Sequence, residues 1–175
     1  MRFSTLEKQE LVKAWVAISA AFAFVLTPGR FNLDLLGTNF VIAAITVGLG
    51  FLLHEIAHKL VAQRFGCWAE FRANNQMLLF SLLMAIGLGV VFAAPGAVYI
   101  QGQITQKKNG LISIAGPLTN IGLAIIYLGL GLAGIFPQIT SKGFMINAWL
   151  ATFNLLPLPM LDGVKVMRWN KKIYV

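Results

Sequence analysis

Residues 39–65, NFVIAAITVGLGFLLHEIAHKLVAQRF, form an apolar run that is long enough to cross a lipid bilayer as a helix. The run contains both histidines of the chain in the string HEIAH, at 54–58. Residues four positions apart share one face of a helix, so the two imidazoles could bind one metal ion. Glu55 lies beside them and could take a proton from a water molecule at such a site. This stretch therefore predicts a membrane helix that carries the site of a zinc peptidase.

The composition of the whole chain also indicates a membrane protein. Of its 175 residues, 58% are hydrophobic and only 11% are charged, whereas a soluble domain has about 25% charged residues. A core of this size cannot bury so many apolar side chains, so we predict an all-α polytopic membrane protein with one domain over residues 1–175. The net charge of +8 suits anchoring to anionic headgroups of the bilayer, and we expect no nucleic-acid partner. The single cysteine, Cys67, excludes an intrachain disulfide.

Apolar stretches recur along the chain and predict about five transmembrane segments. A polar turn region is expected at 28–38, and a basic tail at 161–175 follows the last, short segment. The five predicted segments are residues 11–27, 39–65, 77–94, 111–136 and 143–156.

Residues 95–109, PGAVYIQGQITQKKN, do not read as a helix. Apolar residues alternate with polar or small ones, which predicts a strand or hairpin with its turn at 107–110. Non-helical backbone at membrane depth is tolerated only where it is buried in protein or lines a wet cavity. The sequence leaves open whether this segment lines a cavity in the bilayer or forms a hairpin at the surface.

The distribution of basic residues gives weak guidance on orientation. If the first two segments cross the membrane, the basic residues before the first segment and those after the second segment lie on the same side. The positive-inside rule predicts that this side is cytoplasmic. HEIAH would then lie in the cytoplasmic half of its helix. Full crossing by every segment would put Lys107 and Lys108 on the opposite side, so the third segment or 95–109 is not expected to cross simply. The basic residues on the cytoplasmic side include Lys8, Lys13, Lys59, Arg64 and Arg72.

A hydrolytic zinc site needs a third protein ligand and an open position for water. With no third histidine, the ligand must come from the six acidic residues. Glu70 is one candidate, but it could equally pair with Arg72 at the surface. Asp162 is the other, because it follows the proline-broken segment LLPLPML. Its carboxylate could turn inward toward a cavity or cap the next helix at the water interface, and both alternatives stay open here.

Three motifs in this order resemble those of the site-2 protease family of intramembrane zinc metalloproteases. They are HEIAH, then GPLTN at 116–120, and NLLPLPMLDG at 154–163. The resemblance covers residues 40–168, which would be the core of the domain, and it implies that GPLTN opens the helix between the other two motifs. It further implies one Zn2+ ion bound by His54, His58 and Asp162, Glu55 as the general base, and Asn154 facing the substrate.

The resemblance implies hydrolysis of peptide bonds in or near the transmembrane segments of membrane protein substrates, by a multi-pass protein of the cell membrane. The 95–109 segment resembles the membrane-associated β segment of that family, which presents an edge to an unwound substrate. Two departures are Val164, where the family often has a second glycine, and the end at Val175, where many members continue into a sixth span. A catalytically inactive scaffold that keeps a metal site, and an ion or proton transporter, remain alternative functions.

Overall fold

The structure is a computed structural model that describes residues 3–29, 31–91 and 95–174. It is mostly helical, with one small sheet in which strands β1 and β2 pair. The elements are α1 (Thr5–Leu26), α2 (Leu33–Ala43), a π-helical segment (Ala44–Gly48), α3 (Leu49–Arg64), β1 (Trp68–Ala73), α4 (Asn75–Leu88), β2 (Gly96–Gln101), α5 (Gln106–Leu132), α6 (Pro137–Asn154), α7 (Asp162–Trp169) and α8 (Lys171–Tyr174).

Three helical stretches among the described residues are long and apolar enough to cross a membrane, namely α1, α5 and the continuous helix Leu33–Arg64. The prediction of an apolar, helical protein is thereby confirmed, while the number of about five crossings stays a prediction. Helix α4 has 14 residues, fewer than the roughly 20 that span a bilayer. It ends where Gly89 adopts a left-handed conformation with φ 72°. Residues 92–94, the end of the predicted third segment, lie outside the described residues, as does Val175.

The first two helices begin before the apolar spans predicted from the sequence, because a polar side chain caps each helix earlier. Helix α1 starts at Thr5 and not at residue 11, since the Ser4 hydroxyl accepts a hydrogen bond from the Glu7 N–H at 3.1 Å. Helix α2 starts inside the stretch predicted as a turn, because the Asn32 side chain accepts from the Leu35 N–H at 3.2 Å. Polar composition near a helix start had concealed helical backbone in both places.

The 95–109 segment is only partly a strand. Strand β2 covers Gly96–Gln101, and it pairs with β1, which the sequence did not predict. The turn predicted at 107–110 is wrong, because these residues belong to the first turns of α5. The Thr105 hydroxyl caps that helix by accepting from the Lys108 N–H at 3.3 Å. The predicted basic tail is also ordered, as helices α7 and α8.

The chain divides into two compact units, and the boundary passes through α3 and both strands. The site unit comprises Leu53–Glu70 and the chain from Val98 onward, and the amino-terminal unit comprises the chain up to Leu52 together with Phe71–Ala97. The single domain over residues 1–175 stays a prediction.

In the amino-terminal unit, the acids that precede the predicted first span bind the backbone of β1. One Glu7 carboxylate oxygen accepts from the Phe71 N–H at 2.9 Å, and Glu7 is completely buried. A Glu10 oxygen accepts from the Ala73 N–H at 3.0 Å. Alternate residues of a strand present their N–H groups to the same edge, so the two carboxylates stabilise one edge of β1 as a neighbouring strand would.

In the site unit, helix α5 packs against α6 and α7, and α3 packs beside the sheet. Its small apolar core consists of Ala62, Cys67, Ala69 and Ile112, with Val98 and Ile100 of β2 packed against it. Cys67 is therefore a buried, free thiol in this core. Gly110 of α5 lies directly against the Trp169 ring, which fixes α7 beside α5.

Candidate metal centre

Two helices of the site unit bring three possible metal ligands together. His54 and His58 lie one turn apart on α3, and their Nε2 atoms are 3.0 Å apart. Asp162 is the first residue of α7, and its Oδ2 atom lies 3.3 Å from the His54 Nε2 and 3.0 Å from the His58 Nε2. All three residues are buried, and one ligand atom from each lies within 4.8 Å of the others. Of the two alternatives for Asp162, the structure matches the one in which its carboxylate turns inward. Capping at the water interface is wrong, because Asp162 is buried, Leu161 is the N-cap residue of α7, and no side chain makes a capping hydrogen bond there.

The chain around Asp162 explains how its carboxylate reaches the histidines. Helix α7 begins directly after the proline-containing loop, and a side chain at Gly163 would overlap the Leu155 carbonyl. The other carboxylate oxygen, Oδ1, lies 3.4 Å from the Lys165 Nζ one turn along α7. One oxygen thus faces the lysine and the other faces the imidazoles.

The outer nitrogen of each imidazole has its own partner. The His58 Nδ1 lies 2.7 Å from the Ile112 carbonyl oxygen, and the His54 Nδ1 lies 2.6 Å from the Asn120 Oδ1. A backbone carbonyl only accepts hydrogen bonds, so the His58 Nδ1 must donate. A neutral His58 ring therefore carries its lone pair on Nε2, the atom that faces Asp162.

Without a cation, the close approach of these three ligand atoms is electrostatically unfavourable. Burial raises the pKa of Asp162, but hydrogen bonding to His54 and His58 outweighs burial and lowers that pKa below its usual range. Such bonds need Nε2–H groups, and two of these would face each other across 3.0 Å. Unprotonated Nε2 atoms would instead direct their lone pairs at each other. A cation between the three ligand atoms removes both this repulsion and the clash between two Nε2–H groups. Two imidazole nitrogens and one carboxylate oxygen form a ligand set that suits catalytic zinc, so the residues present fit the ion.

Glu55 lies in the same region without belonging to the ligand group. Its side chain is buried, and the backbone N–H of Val98 in β2 is close enough to interact with its carboxylate. It is also within electrostatic range of Asp162 and Lys165. A buried carboxylate beside the ligands, but outside the ligand group, is available to bind a proton.

Two other candidates from the sequence lie outside the ligand group. Asn154 is the last residue of α6, and its amide donates to the Leu150 carbonyl of its own helix at 2.9 Å. Its expected contact with substrate stays a prediction. Glu70 lies in β1, and among the described residues the ligand group contains only the two histidines and Asp162.

The motif GPLTN does not open a helix, contrary to the expectation from the sequence. Helix α5 already begins at Gln106, and Pro117 lies in its interior. The motif instead faces the histidines: Gly116 lies against both rings, and Asn120 contacts His54.

Sequence reasoning missed the roles of Asn120, Asn147 and Lys165. A signal for Asn120 was available, because it lies four positions after Gly116 and therefore on the same helix face. Lys165 likewise lies one turn after Asp162. Asn147 stands in no motif, and no local pattern could have singled it out.

Two histidines of an HEIAH helix and a distant aspartate form the kind of ligand set that zinc metalloproteases use. Comparison with curated proteins identifies the family. The chain is 39% identical to a protein of Methanocaldococcus jannaschii named as a "putative zinc metalloprotease", over 99% of this chain and 89% of the relative. The chain belongs to the site-2 protease family.

Bacterial relatives agree with this assignment. The chain is 30% identical to "Putative zinc metalloprotease Rip2" of Mycolicibacterium smegmatis, over 87% of this chain and 66% of the relative. It is 31% identical to "Putative zinc metalloprotease YwhC" of Bacillus subtilis, over 70% of this chain and 66% of the relative. No family model and no solved structure matches the chain.

Proposed function

We propose that the protein is an intramembrane zinc metalloprotease that hydrolyses peptide bonds in or near the transmembrane segments of membrane proteins, as in regulated intramembrane proteolysis. The observation that carries this proposal is the convergence of His54, His58 and Asp162, whose ligand atoms lie within 4.8 Å of one another. These residues would bind one zinc ion. The names of the relatives support the same class of enzyme.

Zinc in such a site supplies a Lewis acid that polarises water and peptide carbonyls. The protein's own contribution to hydrolysis is proton transfer. The Glu55 carboxylate accepts the proton of the attacking water and then delivers it to the nitrogen of the leaving amine, so the carboxylate is regenerated.

The substrate is expected to bind as an extended segment. A transmembrane helix has its carbonyls hydrogen-bonded internally, so it must unwind before a peptide bond can be attacked. Strand β2 contains Val98, whose N–H is close enough to interact with the Glu55 carboxylate. An unwound substrate that adds beside β2 would therefore lie close to the general base, as in other cases of strand addition. Asn154 remains the proposed contact for the substrate backbone.

The proposed location is the cell membrane, with several crossings and the site in the cytoplasmic half. HEIAH lies toward the end of the continuous helix Leu33–Arg64, close to Lys59 and Arg64. Basic residues at this end favour the cytoplasmic side. A site near the end of a span also gives water a short path to the proposed metal centre.

The proposal is tested with purified protein reconstituted in liposomes, by measuring zinc content together with cleavage of a transmembrane substrate. Wild type should contain one zinc per chain and cleave the substrate. Glu55→Gln should keep the zinc and lose cleavage by about a hundredfold or more, since it removes the general base. Asp162→Ala should lose the zinc as well.

Two conservative variants serve as controls. Asp34→Asn changes an exposed carboxylate at the start of α2 and should leave both zinc content and cleavage unchanged. Glu70→Gln tests the alternative third ligand and should leave the zinc content unchanged. Full cleavage by a zinc-loaded Glu55→Gln variant would refute the proposed base, and a zinc-loaded wild type that cleaves no transmembrane substrate would favour the inactive scaffold.

A further inference from the structure

A buried chain of hydrogen bonds leads from His54 to a backbone carbonyl of another helix. The His54 Nδ1 lies 2.6 Å from the Asn120 Oδ1 on α5. The Asn120 Nδ2 donates to the Asn147 Oδ1 on α6 at 2.9 Å, and the Asn147 Nδ2 donates to the Gly143 carbonyl at 2.9 Å. Both asparagine side chains are completely buried.

The last acceptor in this chain fixes the direction of every bond before it. The Gly143 carbonyl can only accept, so the Asn147 group facing it must be the amide nitrogen. The Asn147 oxygen then faces Asn120 and requires the amide nitrogen of Asn120 as its donor. The Asn120 oxygen is thereby directed at His54, and the His54 Nδ1 must donate to it.

We infer that Asn120 and Asn147 are positioning residues that hold neutral His54 in the tautomer with its lone pair on Nε2, the atom facing Asp162. This inference rests on the proposed metal site, because only the unprotonated nitrogen can bind a metal ion. Asn120 contacts the ring directly, and Asn147 acts through Asn120. Partners of this kind, behind a histidine ligand, fix ring orientation and tautomer in metal sites.

The tautomers of the two histidines are fixed by different kinds of group. A backbone carbonyl, that of Ile112, sets the His58 tautomer, and it cannot exchange donor for acceptor. A side-chain amide sets the His54 tautomer, and that amide could rotate by half a turn and present its nitrogen instead. Asn147 prevents this rotation. A change at Asn147 should therefore alter His54 and leave His58 unchanged.

Nuclear magnetic resonance of 15N-labelled histidine tests this directly, because the chain has only two histidines. The measurement uses the full chain in detergent, without zinc and at alkaline pH, where imidazoles are neutral. Wild type should show both rings with the proton on Nδ1. Asn147→Leu should make the His54 signal a mixture of tautomers and leave the His58 signal unchanged.

A second variant separates this role from simple packing. Asn147→Asp keeps a carboxylate oxygen as the acceptor for the Asn120 amide, and this acceptor is present whether or not the acid is ionised. It should restore the wild-type tautomer of His54. Thr140→Val removes another buried hydrogen-bonding group of α6, which contacts carbonyls in and just before its own helix, and it should leave both histidine signals unchanged.

Zinc affinity, measured by competition with a chelating dye, gives an independent readout. Asn147→Leu should bind zinc about 10- to 100-fold more weakly, while Asn147→Asp and Thr140→Val should bind like wild type. A wild-type His54 with its proton on Nε2, or a His54 signal that does not respond to Asn147→Leu, would overturn the inference. If the tautomer responds but wild type binds no zinc, the positioning role stands and the proposed function fails.

Discussion

Gly116 faces His58 so closely that a methyl group on its Cα would lie 2.5 Å from the His58 Nε2. The same methyl group would lie 2.6 Å from the His54 Nε2. Gly116 is an interior residue of α5 with helical backbone, so its conformation does not require glycine. The two imidazole rings occupy the space where a side chain would be, and the residue therefore must be glycine.

Gly116→Ala should displace one or both rings and weaken zinc binding by about tenfold or more, as changes behind metal ligands do. The displacement is unavoidable, because both predicted contacts are far shorter than van der Waals separation. Zinc affinity by dye competition and substrate cleavage measure the effect.

Gly122→Ala is the matched control, since Gly122 lies in the same helix and no described atom beyond its own helix backbone and chain neighbours lies within 4 Å of the added methyl group. Alanine stabilises a helix interior by about 0.5–1 kcal/mol relative to glycine. This variant should therefore unfold at a slightly higher temperature and bind zinc like wild type. Unchanged zinc affinity in Gly116→Ala would show that the rings can move without cost.

Gly163→Ala should misplace Asp162. An added side chain would overlap the Leu155 carbonyl, so the start of α7 must shift. We expect a loss of stability of about 1–3 kcal/mol from overpacking and zinc binding weaker by about tenfold or more. Val164→Ala, which only shortens the half-buried neighbour, should keep the zinc. Equal zinc loss in the two variants would contradict the role of Gly163.

Removal of zinc should destabilise the site unit, because a ligand that binds only the folded state stabilises it by mass action. Free zinc at a hundred times its dissociation constant should contribute about 2.7 kcal/mol. Thermal unfolding followed by tryptophan fluorescence should show a higher Tm with zinc than with a chelator. Asp162→Ala should show no such shift, and a shift of wild-type size in that variant would exclude Asp162 as a ligand.

Glu7→Ala should destabilise the amino-terminal unit by about 1–3 kcal/mol. The change removes a buried carboxylate that accepts from the Phe71 N–H at 2.9 Å. Hydrogen exchange at the Phe71 amide should accelerate, which locates the effect at β1.

Glu10→Ala should cost less, about 0.5–1.5 kcal/mol, because the Glu10 side chain is 17% exposed. Its exchange signature should appear at Ala73, the residue whose N–H it binds. Unchanged exchange at both amides in the two variants would show that the carboxylates do not hold the edge of β1.

Local patterns sufficed for the parts of the site that lie within one element. The apolar run and the spacing of His54 and His58 predict a membrane helix with two ligands on one face, because helix periodicity relates residues close in sequence. Helix boundaries were less well predicted. Ser4, Asn32 and Thr105 extend their helices into polar stretches by single cap hydrogen bonds.

Pairing between distant segments was beyond the reach of these patterns. Strand β1 is a six-residue stretch whose hydrogen-bond partners are β2 and two carboxylates of α1. A strand is stabilised by its neighbours more than by its own residues, so a short strand of mixed composition gives little signal. The buried amide of Asn147 gave no signal in the sequence, because its partners lie on its own helix and on α5.

By itself, the sequence determined the apolar helical class, the HEIAH face and the presence of two downstream acids, Glu70 and Asp162, either of which could complete a zinc site. Only the tertiary structure decided that Asp162 turns toward His54 and His58, that Gly116 makes room for the rings, and that two asparagines orient His54. The physical reason is that residues on one helix face are related by the helix itself. Ligands on different helices meet only through the packing of α3, α5, α6 and α7.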